Sequence, residues 1–135
     1  MREFLRCAVL RNAAAAVFAF VAAVPAWAQD DQIAAGEKVF KKCAACHAIG
    51  EGAKNKVGPE LNGIVGRAAG GLPDFGYSEA MKEAGAAGLV WNSETLHTYL
   101  ENPKGMVPGT KMTFAGLKKV EDRDAVIAYI TQAGG

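Results

Sequence analysis

The sequence predicts an all-α protein of about four to five short helices joined by long loops. Three observations predict it. Apolar residues recur at steps of three and four near both ends of the chain and in its middle, the spacing of one helical face. No stretch of useful length alternates apolar with polar residues as a half-buried strand would, and no segment repeats another. Glycine gathers instead between residues 49 and 75, and glycine with proline between 104 and 119, intervals that carry no sustained period and read as loops.

The first element is a targeting segment. Arg2, Arg6 and Arg11 make a basic head, residues 13–24 are unbroken apolar chain, and Pro25-Ala26-Trp27-Ala28 ends in the small-x-small pattern that signal peptidase cuts. Residues 1–28 are therefore expected to be a cleaved secretory signal peptide, with residues 29–135 as the single working domain. The apolar run falls well short of the roughly 20 residues that span a bilayer, which argues against a membrane anchor and against stable membrane insertion. Cys7 precedes that run, so it is not placed as a lipoprotein cysteine and is expected to leave with the peptide. Three arginines and Glu3 leave too, so the 15 basic and 14 acidic residues become 12 and 13, a formal charge of −1. Nothing in that balance points to nucleic acid.

In the remaining chain, Asp30 and Asp31 are suitable N-caps, and Ile33, Gly36, Phe40 and Cys43 then share one face of a first helix that runs straight into the cysteines. Residues 49–75 form a loop long enough to require a functional reason. A short helix is expected after Ser78, stopping near Gly85. A third begins at Asn92 or Ser93 and ends at Asn102, because Pro103 cannot continue it. Residues 104–119 form the second long loop. The last helix covers residues 121–133, with Val126, Tyr129, Ile130 and Ala133 on one face and Gly134 and Gly135 as its stop.

Two cysteines remain after export, where an unassigned thiol pair would ordinarily read as a disulfide. Their setting gives another reading, since Cys43-Ala44-Ala45-Cys46-His47 is the C-x-x-C-H pattern of covalent haem attachment. Thiols three residues apart at a helix end can each add to one porphyrin vinyl group, and the adjacent histidine then sits over the iron. A redox dithiol of the thioredoxin type would need a βαβ context, which is absent. Tetrahedral zinc would need another cysteine or histidine, for which only His97 is available, and a histidine flanked by Thr95, Leu96 and Thr98 on a helix reads as a surface residue.

Around that motif, residues 31–133 resemble class I cytochrome c, and within it the bacterial cytochrome c2 and mitochondrial cytochrome c group. The resemblance rests on Gly36 and Phe40, Val57-Gly58-Pro59, Gly66-Arg67, Tyr77, Trp91, Tyr99-Leu100-Glu101-Asn102-Pro103, Pro108-Gly109-Thr110-Lys111-Met112 and Phe114-Ala115-Gly116. It implies the cytochrome c fold, with the first and last helices crossed where Gly36 approaches Tyr129 and with both long loops wrapped round one covalently bound haem c per chain. It further implies that the Pro59 carbonyl accepts the His47 Nδ1 proton and that Met112 is the second iron ligand. Tyr99 would approach the ligand sulfur, while Arg67, Tyr77 and Trp91 would hydrogen-bond the buried propionate. Among the other methionines, Met1 leaves with the signal, Met81 falls in a predicted helix and Met106 lies in the same loop; Met112 alone fills the family's ligand slot. The chain departs from the family at Met81, where relatives often carry asparagine, and in extra residues around Ala86 to Leu89.

The resemblance implies a soluble periplasmic one-electron carrier rather than an enzyme, monomeric, taking electrons from quinol:cytochrome c reductase and passing them to cytochrome c oxidase or a photosynthetic reaction centre. The alternative is a haem-based ligand-binding or peroxidase-like protein, which would need an open iron position that Met112 closes. Lys41, Lys42, Lys54, Lys56, Lys104, Lys111, Lys118 and Lys119 cluster in sequence around the attachment motif and the methionine loop, where they would ring the exposed haem edge.

Overall fold

A computed structural model describes residues 26–135; the basic head and the apolar run of the expected signal peptide lie outside them. Among the described residues five helices follow in order: α1 (Ala26–Phe40), α2 (Glu79–Ala86), α3 (Ser93–Glu101), α4 (Pro103–Met106) and α5 (Val120–Ala133). Among the described residues there is no strand, only an isolated antiparallel bridge between Ala68 and Val90. The all-α expectation holds.

Helix α1 runs through Asp30 and Asp31 instead of starting at them. Ala26, Ala28 and Gln29 are good helix formers, so nothing in that stretch forces a start at the aspartates. Helices α2 and α3 begin where their caps direct. Ser78 Oγ accepts the Met81 N–H at 3.1 Å, and Asn92 and Thr95 form a reciprocal capping box at 2.9 and 2.8 Å. The second loop opens with a turn of helix where the sequence predicts loop alone. There Asn102 Oδ1 accepts the Gly105 N–H at 3.1 Å, and Pro103 occupies the first helical position, where its missing N–H costs nothing. Helix α5 starts without a side-chain cap, but Glu121 and Asp122 in its first turn favour the positive end of its dipole.

The two terminal helices pack against each other at Gly36. A Cβ added there would lie 2.0 Å from the Ala125 carbonyl oxygen and 2.6 Å from Tyr129 Cβ, so only glycine permits this crossing. One turn on, the Phe40 and Tyr129 rings meet with centroids 5.3 Å apart. Phe40, Val126, Ile127 and Ile130 from this pair join Leu96 and Tyr99 of α3, Met81 of α2 and Trp91 in one buried cluster.

Both long loops are tied back to the helices. Gly63 N–H donates to the Gly134 carbonyl at 3.0 Å, Gly66 N–H to Trp91 at 2.7 Å, and Leu117 N–H to Leu100 at 2.6 Å. Arg123, buried on α5, donates from Nη1 to the carbonyls of Leu117 and Lys118 at 2.6 and 3.1 Å. The loops are thereby held open around a single space between them.

Candidate functional site

The attachment motif begins where α1 stops. Cys43 N–H donates to Phe40 O at 2.7 Å, while Cys46 and His47 N–H groups both donate to Cys43 O at 3.0 and 2.9 Å, so the five residues turn tightly and present both thiols and the imidazole together. Cys43 is half-buried and Cys46 exposed. Burial pushes the Cys43 thiol above its ordinary pKa, against a smaller opposite pull from Lys42.

His47 Nδ1 lies 2.7 Å from the Pro59 carbonyl oxygen. A carbonyl can only accept, so Nδ1 carries the proton and Nε2 keeps its lone pair for a metal. Burial lowers the His47 pKa, the Pro59 bond opposes that, and Lys56 adds to the lowering, so the imidazole stays neutral as metal binding requires. Gly58 clears the space: a Cβ there would sit 2.5 Å from His47 Cε1 and 2.8 Å from Nδ1. Gly58→Ala is therefore expected to break the His47–Pro59 bond and to cost about 1–3 kcal/mol or more through overpacking, read as a lower denaturation midpoint of the haem-loaded protein. An unchanged midpoint together with an intact His47 bond would contradict it.

The facing wall comes from α3 and the second loop. Tyr99 Oη donates toward Met112 Sδ at 3.5 Å and lies 3.2 Å from Thr110 Oγ1, which also accepts the Met112 N–H at 3.3 Å. Burial raises the Tyr99 pKa, which keeps the phenol protonated as a donor at neutral pH. Thr110 is a site residue that the sequence reading does not single out, although a hydroxyl between the turn at Gly109, whose φ is +93°, and Met112 is a signal that could find it.

Between these walls lies a largely apolar cavity of about 600 Å³, a volume typical of cofactor sites. Cys43, Cys46, His47, Pro59, Tyr77, Trp91, Tyr99 and Met112 all line it, as does Met81. The Trp91 and Tyr99 rings pack on its floor with centroids 4.8 Å apart. Arg67 is the exception among the expected site residues. It lines no part of the cavity, and its guanidinium is engaged by the Glu60 carbonyl at 3.0 Å, the Glu60 carboxylate at 3.2 Å and the Asn62 carbonyl. The physical reason is the acid at position 60, which captures the guanidinium as a part-buried ion pair. His97 also stays away from the cavity, bonded through Nε2 to Asp124 at 2.7 Å.

Two thiols, a neutral imidazole with a free Nε2 and a soft thioether suit iron in an apolar macrocycle, and among the described residues no three His, Cys, Asp or Glu side chains gather to hold a bare ion instead. The class so defined is that of c-type cytochromes. The sequence profile of the family described as cytochrome c matches residues 33–134. Cytochrome c2 of Afifella marina is 64% identical over 100 residues, covering 74% of this chain and 81% of the relative. Cytochrome c2 of Agrobacterium tumefaciens is 58% identical over 101 residues, covering 75% and 91%. The solved structure of cytochrome c2 from Rhodospirillum centenum superposes with a TM-score of 0.72 at 40% identity, over 76% of this chain and 98% of that one. The chain belongs to the cytochrome c family, as a class I c-type cytochrome of the cytochrome c2 group. It carries one covalently bound haem c and is an electron-transfer protein, not an enzyme.

Proposed function

We propose that residues 29–135 are the mature form, exported by cleavage after Ala28, and that this domain is a soluble periplasmic shuttle between quinol:cytochrome c reductase and either cytochrome c oxidase or a photosynthetic reaction centre. Cys43 and Cys46 would hold the haem by thioether bonds, His47 Nε2 and Met112 Sδ would bind its iron, and Tyr77 and Trp91 would serve its propionate side. The haem, when bound, supplies a one-electron couple between iron(III) and iron(II). The observation that carries this reading is the pairing of walls: the protonated Nδ1 of His47 on Pro59 and the Met112 sulfur under Tyr99 border one apolar cavity. Pro59 orients the imidazole and strengthens it as a donor. Tyr99 and Thr110 hold the thioether, whose softness favours iron(II) and raises the potential. The surrounding apolar side chains exclude water.

Expression with working haem-maturation machinery tests the core of this reading. The intact mass should equal residues 29–135 plus one haem, with a pyridine haemochrome reporting two thioether links. A bare polypeptide mass from those cells would sink it.

Docking is proposed to use the lysines. Lys42 and Lys111 border the cavity, and Lys111 Nζ is placed by a 2.9 Å bond to the Gly76 carbonyl. Lys42 lies 3.9 Å from Asp122, an exposed pair that neutralises little. A positive rim of this kind steers the carrier onto acidic surfaces and raises association rates more than affinity. As the Debye length shrinks from about 30 Å at 0.01 M salt to about 10 Å at 0.1 M, electron transfer to an oxidase or reaction centre is expected to slow by on the order of tenfold. Lys42→Glu with Lys111→Glu should slow it further and flatten the salt dependence while leaving the optical spectrum intact. Stopped-flow rates indifferent to both would mean that docking rests on apolar contact.

A further inference from the structure

The peptide unit joining Pro59 to Glu60 is held at both of its polar ends. Its carbonyl oxygen, on Pro59, accepts the His47 Nδ1 proton at 2.7 Å, and its N–H, on Glu60, donates to Asn55 Oδ1 at 2.9 Å. Both bonds belong to one conjugated amide, in which electron density moves from nitrogen to oxygen. An acceptor on the N–H therefore enriches the carbonyl oxygen, and each bond strengthens the other. Only the side-chain oxygen of Asn55 can play this part, since a backbone N–H cannot donate to an NH₂ group.

The rest of the segment does not depend on Asn55. Arg67 Nη1 donates to the Glu60 carbonyl at 3.0 Å, the Glu60 carboxylate accepts the Asn62 N–H at 2.7 Å, and Leu61 N–H donates to Ala48 O at 2.9 Å. Asn55 itself is half-buried and does not line the cavity. Its bond to Glu60 N–H thus has an effect that local anchoring does not require.

We propose that Asn55 is a positioning residue that sets the donor strength of His47 through the Pro59–Glu60 peptide. By enriching the Pro59 oxygen it draws the Nδ1 proton, gives the ring part of an imidazolate's basicity, favours iron(III) and holds the reduction potential down. This opposes Met112, whose thioether pushes the potential up. The inference rests on the reading of His47 as the iron ligand through Nε2.

The test uses haem-loaded Asn55→Leu and Asn55→Asp, which respectively remove the acceptor and keep it with a negative charge. The readouts are the proton magnetic resonance shift and solvent exchange of His47 Nδ1–H in the reduced protein, and the reduction potential. Asn55→Leu should move the Nδ1–H signal upfield, speed its exchange several-fold and raise the potential. Asn55→Asp should leave the signal at or downfield of its wild-type position and should not raise the potential. A potential and signal unchanged in Asn55→Leu would overturn the inference. A potential that moves while the signal stays would assign the effect to a through-space field and overturn it too. Equal changes in both variants would mean loop packing rather than an acceptor, and would overturn it as well. Those three results leave His47 as ligand; a wild-type protein lacking a haem-shifted His47 ring signal would overturn the ligand reading itself, and this inference with it.

Discussion

Haem-loaded Met112→Ala is expected to lose the sulfur-to-iron charge-transfer absorption, to show a reduction potential lower by on the order of 0.2 V, and to bind carbon monoxide when reduced. Met112 is the thioether held from three directions, by Tyr99 Oη at 3.5 Å, by Thr110 Oγ1 on its own N–H, and by the turn at Gly109. Under the proposed ligation, removing it would take away the soft ligand that favours iron(II) and leave a coordination position open. Two other methionines supply the controls. Met106 packs against the core without lining the cavity, and Met81 lines the cavity as a buried core residue of α2. Met106→Ala and Met81→Ala should keep the absorption band and exclude carbon monoxide, although Met81→Ala should cost about 2–5 kcal/mol of stability as a large-to-small core change. Loss of the band in either control would move the ligand assignment to that residue. A wild-type protein that bound carbon monoxide at neutral pH would favour an open-iron protein over a carrier.

Gly36→Val is expected to lower the stability of the haem-loaded protein by more than about 3 kcal/mol, beyond the ordinary range for overpacking, because the groups in the way cannot rotate aside. One is the Ala125 carbonyl oxygen, 2.0 Å from the new Cβ, and the other is the Cβ root of Tyr129 at 2.6 Å. Relief requires α1 and α5 to separate, which also breaks the Phe40–Tyr129 contact and loosens the start of the attachment motif. Valine at the exposed Ala35 of the same helix gives the comparison, since it should cost only its propensity difference, less than about 0.7 kcal/mol. Denaturation midpoints in guanidinium measure both. Equal midpoints for the two variants would mean that the helices do not cross at Gly36.

The helices are legible in proportion to how local their signals are. Helix α3 carries its cap, its apolar face and its proline stop within twelve consecutive residues, and of the two candidate caps, Asn92 and Ser93, it is Asn92 that caps it. Helix α4 escapes the sequence reading because Asn102-Pro103 reads as a stop and not also as a cap and first position for the next turn. The start of α1 lies earlier than the sequence predicts, since two good capping residues do not end a helix that favourable residues continue.

By itself the sequence determined the covalent chemistry of this protein. A C-x-x-C-H run places two thiols and an imidazole within one tight turn whatever the rest of the chain does, and Gly36 and Phe40 lie on the helix that leads there. The resemblance to class I cytochrome c added Pro59, Tyr99 and Met112, and the structure seats all three at the cavity. Only the tertiary structure decided the polar details. It paired Arg67 with Glu60, set Thr110 between Tyr99 and Met112, gave Gly58 its task of clearing the His47 ring, and put Asn55 at the far end of the peptide that His47 bonds. Helical faces and attachment motifs are written in neighbouring residues and show as a period or a spacing. A hydrogen bond such as that from the Glu60 N–H to Asn55 joins loop positions with no period between them, and its partner is chosen by how the loop closes and by which competing donor or acceptor lies nearest.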